Sequence, residues 1–151
     1  MRILIVCVGL PGSGKTTLCE AKKKENPHIV EVLSSDTIGK ELKVHDGNGA
    51  NTPVVFHELY RRMENLPKHK QVVYVDSTAL TKKARKKILE HSQKYDIKLA
   101  WIFKTPKTEC LKRNDKRWKR VPPQVIEKMA RRYEPPTIEE GFDDVQEIHT
   151  S

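Results

Sequence analysis

The sequence has little of what marks secreted, membrane-spanning or zinc-binding proteins. Its 151 residues include three cysteines with no Cys-x-x-Cys pair, and six histidines of which none lies three or four residues from another. This set provides neither a disulfide framework nor a group of zinc ligands. No apolar stretch approaches the roughly 18 residues of a membrane span, and the apolar start at 2–8 is followed by a glycine motif instead of a cleavage site. We therefore expect a protein of a reducing, cytoplasmic compartment with no membrane partner.

Acidic residues are also in deficit. There are 29 Lys and Arg against 20 Asp and Glu, a net charge of +9, and residues 104–120 alone hold eight basic and two acidic side chains. A positive field of this kind attracts phosphate groups, whether in a nucleotide or in a nucleic acid. A solvated helix face is the commoner source of an arbitrary basic run, so the charge alone does not identify a function.

The apolar residues are concentrated in short runs that alternate with helical patterns. This order predicts an α/β fold, with a parallel sheet of four to five strands flanked by helices. The length allows one well-buried core, so we expect one domain over 1–151. Strands are expected at 2–8, 29–33, 71–75 and 97–103, with a less regular fifth at 145–148. Helices are expected at 15–25, 36–43, 53–66, 81–94, 107–117 and 122–132, and the glycine-containing segment 44–52 is expected to form a surface loop.

A phosphate-binding motif follows the first predicted strand. The segment Gly9-Leu-Pro-Gly-Ser-Gly-Lys15-Thr16 matches G-x-x-x-x-G-K-S/T at every fixed position and opens a predicted helix. The backbone N–H groups of such a loop surround a β-phosphate, the lysine reaches the β- and γ-phosphates, and the threonine hydroxyl ligates Mg²⁺. No guanine-reading Asn-Lys-x-Asp segment accompanies it. The motif predicts ATP and Mg²⁺ as cofactors, with nucleotide contacts from Gly9, Gly12, Ser13, Gly14, Lys15, Thr16 and Thr17.

Two aspartates come at the ends of neighbouring predicted strands. Asp36 follows the second strand, and the carboxyl ends of parallel strands share one crevice, so Asp36 could activate an acceptor hydroxyl. It could equally be the cap of the next helix. Asp76 ends the third strand and resembles the acid that holds the Mg²⁺ water shell, whereas its alternative role is also a helix cap. We expect Thr16 and Asp76 to be the metal-side residues.

A basic segment at about 107–132, hereafter the lid segment, contains two arginines four residues apart. On one helix, Arg113 and Arg117 would point to one face. Planar guanidinium groups hold phosphate oxygens in pairs, which suits a lid that closes over a triphosphate. The alternative is a solvated helix. Trp118 follows directly and could stack on a base or take a half-buried packing role.

With these residues in place, the sequence resembles the small P-loop kinases that phosphorylate the 5′-hydroxyl of nucleic acids, the kinase half of phage and animal polynucleotide kinases. Four blocks carry the resemblance: Gly-Leu-Pro-Gly-Ser-Gly-Lys-Thr at 9–16, Ser-Ser-Asp-Thr-Ile-Gly at 34–39, Lys-Arg-Asn-Asp-Lys-Arg at 112–117 and Tyr-Glu-Pro-Pro-Thr-Ile-Glu-Glu-Gly-Phe at 133–142. The resemblance implies a P-loop NTPase fold with a basic helical lid. It also implies that Asp36 is the general base on the 5′-hydroxyl and that Arg117 grips the donor phosphates.

The sequence departs from the family pattern in three places. Where the phage type often has an arginine three residues after the aspartate, this chain has Gly39 followed by Lys40. The segment Asp76-Ser-Thr-Ala-Leu has alanine where many relatives have asparagine, and the aspartate-rich motif of the fused phosphatase is missing. The first of these differences predicts an altered recognition of the strand end.

Together these features predict ATP-dependent transfer of the γ-phosphoryl group to the 5′-hydroxyl end of DNA or RNA. Asp36, Lys15 and Arg117 are the expected catalytic residues, and Arg113 and Arg117 the lid contacts to the nucleotide. One alternative is a small-metabolite or nucleoside kinase that shares the donor residues. A second alternative is a non-catalytic, nucleotide-gated module that binds nucleic acid.

Overall fold

The computed structural model describes residues 1–44, 53–118 and 120–149. The loop expected at 44–52 lies outside this range except for Val44. Within it, no helix has the combination of length and hydrophobicity needed to cross a membrane.

A five-stranded sheet forms the centre of the molecule, and every neighbouring pair of strands in it is parallel. Its strand order is β2-β3-β1-β4-β5. All five predicted strands are confirmed to within one residue at each end. The strands are β1 (Ile3–Val8), β2 (Val30–Ser34), β3 (Val72–Asp76), β4 (Ile97–Phe103) and β5 (Asp144–Ile148).

The helices occupy the predicted segments, although several end earlier than the sequence pattern suggests. They are α1 (Lys15–Glu25), α2 (Ser35–Glu41), α3 (Pro53–Glu64), α4 (Lys82–Glu90), α5 (Lys107–Asn114) and α6 (Pro123–Arg132), followed by a short 3₁₀ helix over Ile138–Glu140.

The largest difference from the predicted helices is at the end of α4, which stops at Glu90 instead of 94. The helix α5 also ends early, at Asn114 instead of 117. The helix ends at Asn114 because the buried side chain of this residue binds both the carbonyl and the N–H group of Val121. Its Nδ2 donates to the Val121 carbonyl at 2.6 Å, and its Oδ1 accepts from the Val121 N–H at 3.0 Å. These two bonds turn the chain back between α5 and α6.

The sheet buries side chains on both faces, as the predicted layer order requires. One face packs Leu4, Val6 and Val75 against Leu59 and Met63 of α3. The other face carries the second core cluster, in which Ile5, Cys7 and Tyr74 of the sheet lie with Cys19 of α1. Cys7 and Cys19 are fully buried.

The carboxyl ends of all five strands lie at the same edge of the sheet, because every neighbouring pair is parallel. The Gly9–Thr16 loop follows β1, residues 34–36 follow β2, and residues 76–78 follow β3. Because β3 alone separates β1 from β2, the first two of these segments are about two strand spacings, or about 10 Å, apart. Parallel strands in this order therefore bring the glycine loop and Asp36 to one crevice.

Candidate active site

The glycine loop between β1 and α1 encloses the ammonium group of Lys15. Its Nζ donates to the carbonyls of Gly9 and Leu10, each at 2.9 Å, and reaches the Ser13 hydroxyl at 3.4 Å. Burial lowers the pKa of Lys15, and the negative charge of Asp76 opposes that shift. The loop therefore holds a cation at the N-terminus of a helix, which is the arrangement that binds phosphate.

Close contacts to the rest of the molecule fix the shape of this loop. Gly12 has a φ of +83°, and a Cβ atom added there would lie 2.6 Å from the carbonyl oxygen of Cys110 in α5. The hydroxyl of Thr105, just beyond β4, donates to the Ser13 carbonyl at 2.7 Å. Thr105 was missed in the sequence because no motif marks a threonine that acts across the sheet.

The two residues expected on the metal side are in direct contact. The Thr16 hydroxyl donates to Oδ2 of Asp76 at 2.6 Å, and Asp76 is buried at the end of β3. The alternative role of Asp76 as a helix cap is wrong, because α4 begins at Lys82 and the Thr81 side chain caps it.

This pair has the chemistry of a Mg²⁺ site. A hydroxyl and a carboxylate are the hard oxygen donors that Mg²⁺ prefers, and this ion usually takes only one or two protein ligands beside phosphate and water. In the part of the chain that the structure describes, no cluster of three or more His, Cys, Asp or Glu could hold a metal without such help. The donor set of Thr16 and Asp76 therefore fits Mg²⁺ held together with a nucleotide.

Asp36 lies in the first turn of α2 and does not cap it. The cap is Ser34, whose hydroxyl accepts a hydrogen bond from the Thr37 N–H at 3.2 Å. This removes the helix-cap alternative for Asp36. Its partly exposed carboxylate instead accepts a hydrogen bond from Nη2 of Arg117 at 2.6 Å.

The two lid arginines are not on one helix face, so that expectation is wrong. Arg113 belongs to α5 and donates to the Gly12 carbonyl at 3.5 Å, whereas Arg117 lies beyond the end of the helix and reaches across to Asp36. The Nη1 atom of Arg117 is buried and has no hydrogen-bond partner among the described residues. The lid segment thus contacts both the glycine loop and the aspartate after β2.

A cavity of about 910 Å³ opens between the lid segment and the sheet edge. The predicted site residues that line it are Gly12, Gly14, Lys15, Thr16, Thr17, Asp36, Asp76, Arg113 and Arg117. Gly9 and Ser13 do not line it; they contact Lys15 instead. Trp118 stands at its border with 61% of its surface exposed, which is incompatible with the half-buried packing role.

A buried arginine that the sequence analysis missed supports the segment after β3. Arg85 of α4 is fully buried and donates to the carbonyls of Ala79 and Glu134, each at 2.8 Å, and to both carboxylate oxygens of Glu140 at 2.7 and 3.3 Å. These hydrogen bonds hold the block at 133–142 against the chain just beyond Asp76. In the sequence, Arg85 stands among the lysines of a basic helix, and this position alone does not indicate a buried side chain.

Comparisons with known proteins find kinases among the similar proteins. Among curated proteins, the chain is 26% identical over 151 residues to a bifunctional polynucleotide phosphatase/kinase of Schizosaccharomyces pombe, with 96% of this chain and 33% of that protein covered. It is 27% identical over 150 residues to an L-seryl-tRNA(Sec) kinase of Methanococcus maripaludis, with 93% of this chain and 56% of that protein covered. The chain thus spans about a third and about half the length of these two relatives.

The fold is shared with solved kinase structures. A crystal structure of a gluconokinase from Sinorhizobium meliloti 1021 has a TM-score of 0.65 and 16% identity, and covers 100% of this chain and 85% of that chain. At such an identity the likeness shows the fold alone.

The parallel sheet, the glycine loop at its edge and the kinases among the relatives confirm the α/β fold of P-loop NTPases and the resemblance to P-loop kinases. A family model described as an AAA domain matches residues 4–136, so the chain belongs to that family.

Proposed function

We propose that the protein transfers the γ-phosphoryl group of ATP to the 5′-hydroxyl end of DNA or RNA. The observation that carries this proposal is the position of Asp36, whose carboxylate lines the same cavity as Lys15 and the two lid arginines. The polynucleotide phosphatase/kinase among the relatives supports an acceptor hydroxyl on a nucleic acid. The net charge of +9 favours the same polyanionic acceptor.

On the donor side, the chain supplies positive groups for the triphosphate. Lys15 leaves the loop carbonyls that now hold its ammonium group and binds the β- and γ-phosphates. The Nη1 atom of Arg117, which has no hydrogen-bond partner among the residues that the structure describes, and the guanidinium of Arg113 bind phosphate oxygens. They stabilise the charge that develops on the γ-phosphoryl group. Mg²⁺, held by Thr16 and Asp76, would neutralise part of the phosphate charge when bound.

On the acceptor side, Asp36 positions the 5′-hydroxyl and accepts its proton. The bond from the 5′-oxygen to the γ-phosphorus forms while the bond to the β–γ bridging oxygen breaks, and ADP is the leaving group. In the free protein Oδ2 of Asp36 is bound to Arg117. When donor phosphates attract Arg117, this oxygen becomes available to the acceptor, so ATP binding prepares the general base.

The similarity to an L-seryl-tRNA(Sec) kinase supports a second candidate, a kinase for another hydroxyl acceptor. Such an enzyme would use the same donor residues and would differ only in what lies beside Asp36.

The test is incubation with γ-labelled ATP and 5′-hydroxyl oligonucleotides of DNA and of RNA. We expect labelled 5′-phosphate ends, and loss of the label in Asp36→Asn. Asp144→Asn is the matched control, because this exposed aspartate of β5 lies outside the cavity. Label on a nucleoside or sugar alone would favour the second candidate. Salt-sensitive oligonucleotide binding without any transfer would contradict both kinases and favour a non-catalytic binding module.

A further inference from the structure

Trp118 is the large exposed aromatic side chain at the border of the active-site cavity, with 61% of its surface in solvent. The ammonium group of Lys40 lies over its ring, with Nζ 4.9 Å from the ring centroid. Neither residue takes part in the donor or general-base roles described above. The indole and the cation on its face lie beside the cavity that is proposed to receive the nucleic-acid end. They can therefore bind a part of the acceptor strand other than its 5′-hydroxyl.

The lid segment and α2 approach each other at two successive points. Arg117 contacts Asp36, and the adjacent Trp118 contacts Lys40, which is four residues beyond Asp36 on the same helix. Residues four apart on a helix lie on one face with Cβ atoms about 5–6 Å apart. Asp36 and Lys40 therefore lie one helical turn apart on α2, and the two side chains that contact them, Arg117 and Trp118, belong to adjacent residues of the lid segment.

This arrangement of contacts matches the covalent structure of a terminal nucleotide. Its 5′-oxygen and its base are attached to the same ribose, so a 5′-oxygen held at Asp36 leaves the base one sugar away. The phosphodiester on the 3′ side of that ribose carries one negative charge. The contacts offered by Trp118 and Lys40 are the two that such a nucleotide requires, an aromatic face for the base and a cation for the phosphate.

The Lys40–Trp118 contact in the free protein is readily exchanged for these new contacts. Both residues are exposed, and a solvated cation–π contact is weaker than the stacking of a base on an indole. A base that replaces the ammonium group on the ring leaves that group beside the nucleotide, where the phosphodiester attracts it.

We infer that Trp118 and Lys40 form a subsite for the first nucleotide of the acceptor strand. The 5′-terminal base stacks on Trp118, and Lys40 binds the phosphodiester that joins the first and second nucleotides. This inference rests on the proposed function, because it places the 5′-hydroxyl at Asp36. It makes the enzyme favour an oligonucleotide over a free nucleoside, which lacks the phosphodiester.

The test of the indole compares two 5′-hydroxyl oligonucleotides that differ only in the first residue, which is either a normal nucleotide or an abasic sugar. With wild-type protein, removal of the base is expected to raise KM on the order of tenfold, the effect of losing one stacked base. In Trp118→Ala the KM for the normal strand rises to a similar value and removal of the base adds nothing. Trp118→Phe, which keeps an aromatic face, retains most of the discrimination.

The test of the cation uses Lys40→Ala with Lys86→Ala as the matched control, an exposed lysine of α4. Equilibrium binding of the oligonucleotide is measured by fluorescence anisotropy at several salt concentrations. Loss of the phosphate contact is expected to reduce the slope of log Kd against log salt by about one in Lys40→Ala and to leave it unchanged in Lys86→Ala. Preservation of the unfolding midpoint in each variant shows that the fold is intact.

The outcomes separate the subsite from the proposed function. Transfer to 5′-hydroxyl ends with an equal effect of base removal in wild type and in Trp118→Ala would overturn the subsite and leave the kinase function standing. Binding that depends on Trp118 and Lys40, without any phosphoryl transfer, would support the subsite and contradict the function. An unchanged salt slope in Lys40→Ala would overturn the phosphodiester contact.

Discussion

Replacement of Arg85 by methionine is expected to lower the free energy of unfolding by about 3–5 kcal/mol, the usual effect of breaking a buried ion pair. Arg85 is fully buried, and the Glu140 side chain is only 10% exposed. Methionine fills a similar volume but donates no hydrogen bond. The carboxylate then loses its cation, and the buried Ala79 carbonyl contact is lost as well, at about 1–3 kcal/mol for an unsatisfied group.

The assay is urea unfolding followed by circular dichroism, applied to Arg85→Met, Glu140→Met and the double variant Arg85→Met/Glu140→Met. The double variant removes both charges, so we expect it to recover part of the stability that either single change loses. Arg85→Met should also impair transfer, because its contact at Ala79 holds the chain three residues beyond Asp76. A loss below about 1 kcal/mol in Arg85→Met, or no recovery in the double variant, would refute this account of the pair.

The same pair predicts a dependence on pH. Burial alone would raise the pKa of Glu140, but the hydrogen bonds from Arg85 and from the Thr137 backbone outweigh it and lower the pKa. A lowered pKa stabilises the fold above the ordinary glutamate pKa, and the contribution disappears as the pH falls through the folded value. The stability difference between wild type and Glu140→Gln should therefore shrink as the pH is lowered from neutral to below about 4. A difference that is constant over this range would contradict the assigned shift.

Three further changes test the glycine loop and the lid segment. Lys15→Ala should keep the unfolding midpoint and reduce ATP turnover on the order of a hundredfold or more, because the phosphates lose their main cation; unchanged turnover would contradict its role. Gly12→Ala should raise the KM for ATP, since its Cβ would meet the Cys110 carbonyl at 2.6 Å in a left-handed conformation; an unaltered KM would show that the loop tolerates the shift. Asn114→Ala should raise the proteolysis rate of the lid segment, because it removes both hydrogen bonds to the Val121 backbone. An unchanged cleavage rate would show that these bonds do not hold the segment in place.

The elements that could be predicted from the sequence are those whose cause is local. Four of the five strands, β1 to β4, are short and mainly apolar runs, and the glycine loop follows the first of them with every fixed position filled. The contact between Thr16 and Asp76 could also be expected, because parallel strands bring their carboxyl ends to one edge. Each of these inferences needs only periodicity, a motif and the rule for parallel sheets.

The features that escaped prediction depend on side-chain contacts that the local helix or strand pattern does not contain. The end of α5 is set by the bonds of Asn114 to Val121, so helix propensity alone overestimated its length and placed Arg117 on the wrong face. The role of Arg85 could not be predicted because its partners Glu134 and Glu140 lie 49 and 55 residues away in the chain. Thr105 likewise acts on Ser13, 92 residues earlier in the chain. Such contacts form only after the sheet has brought the segments together.

The central claim is that Asp36 receives the acceptor hydroxyl opposite the glycine loop once the donor phosphates have drawn Arg117 away from it. A crystal structure of the protein with a non-hydrolysable ATP analogue and a 5′-hydroxyl dinucleotide measures this directly. The account predicts an Asp36 oxygen within about 2.6–3.2 Å of the 5′-oxygen, with Arg117 on the γ-phosphate. An acceptor bound elsewhere, with Asp36 still paired to Arg117, would contradict it.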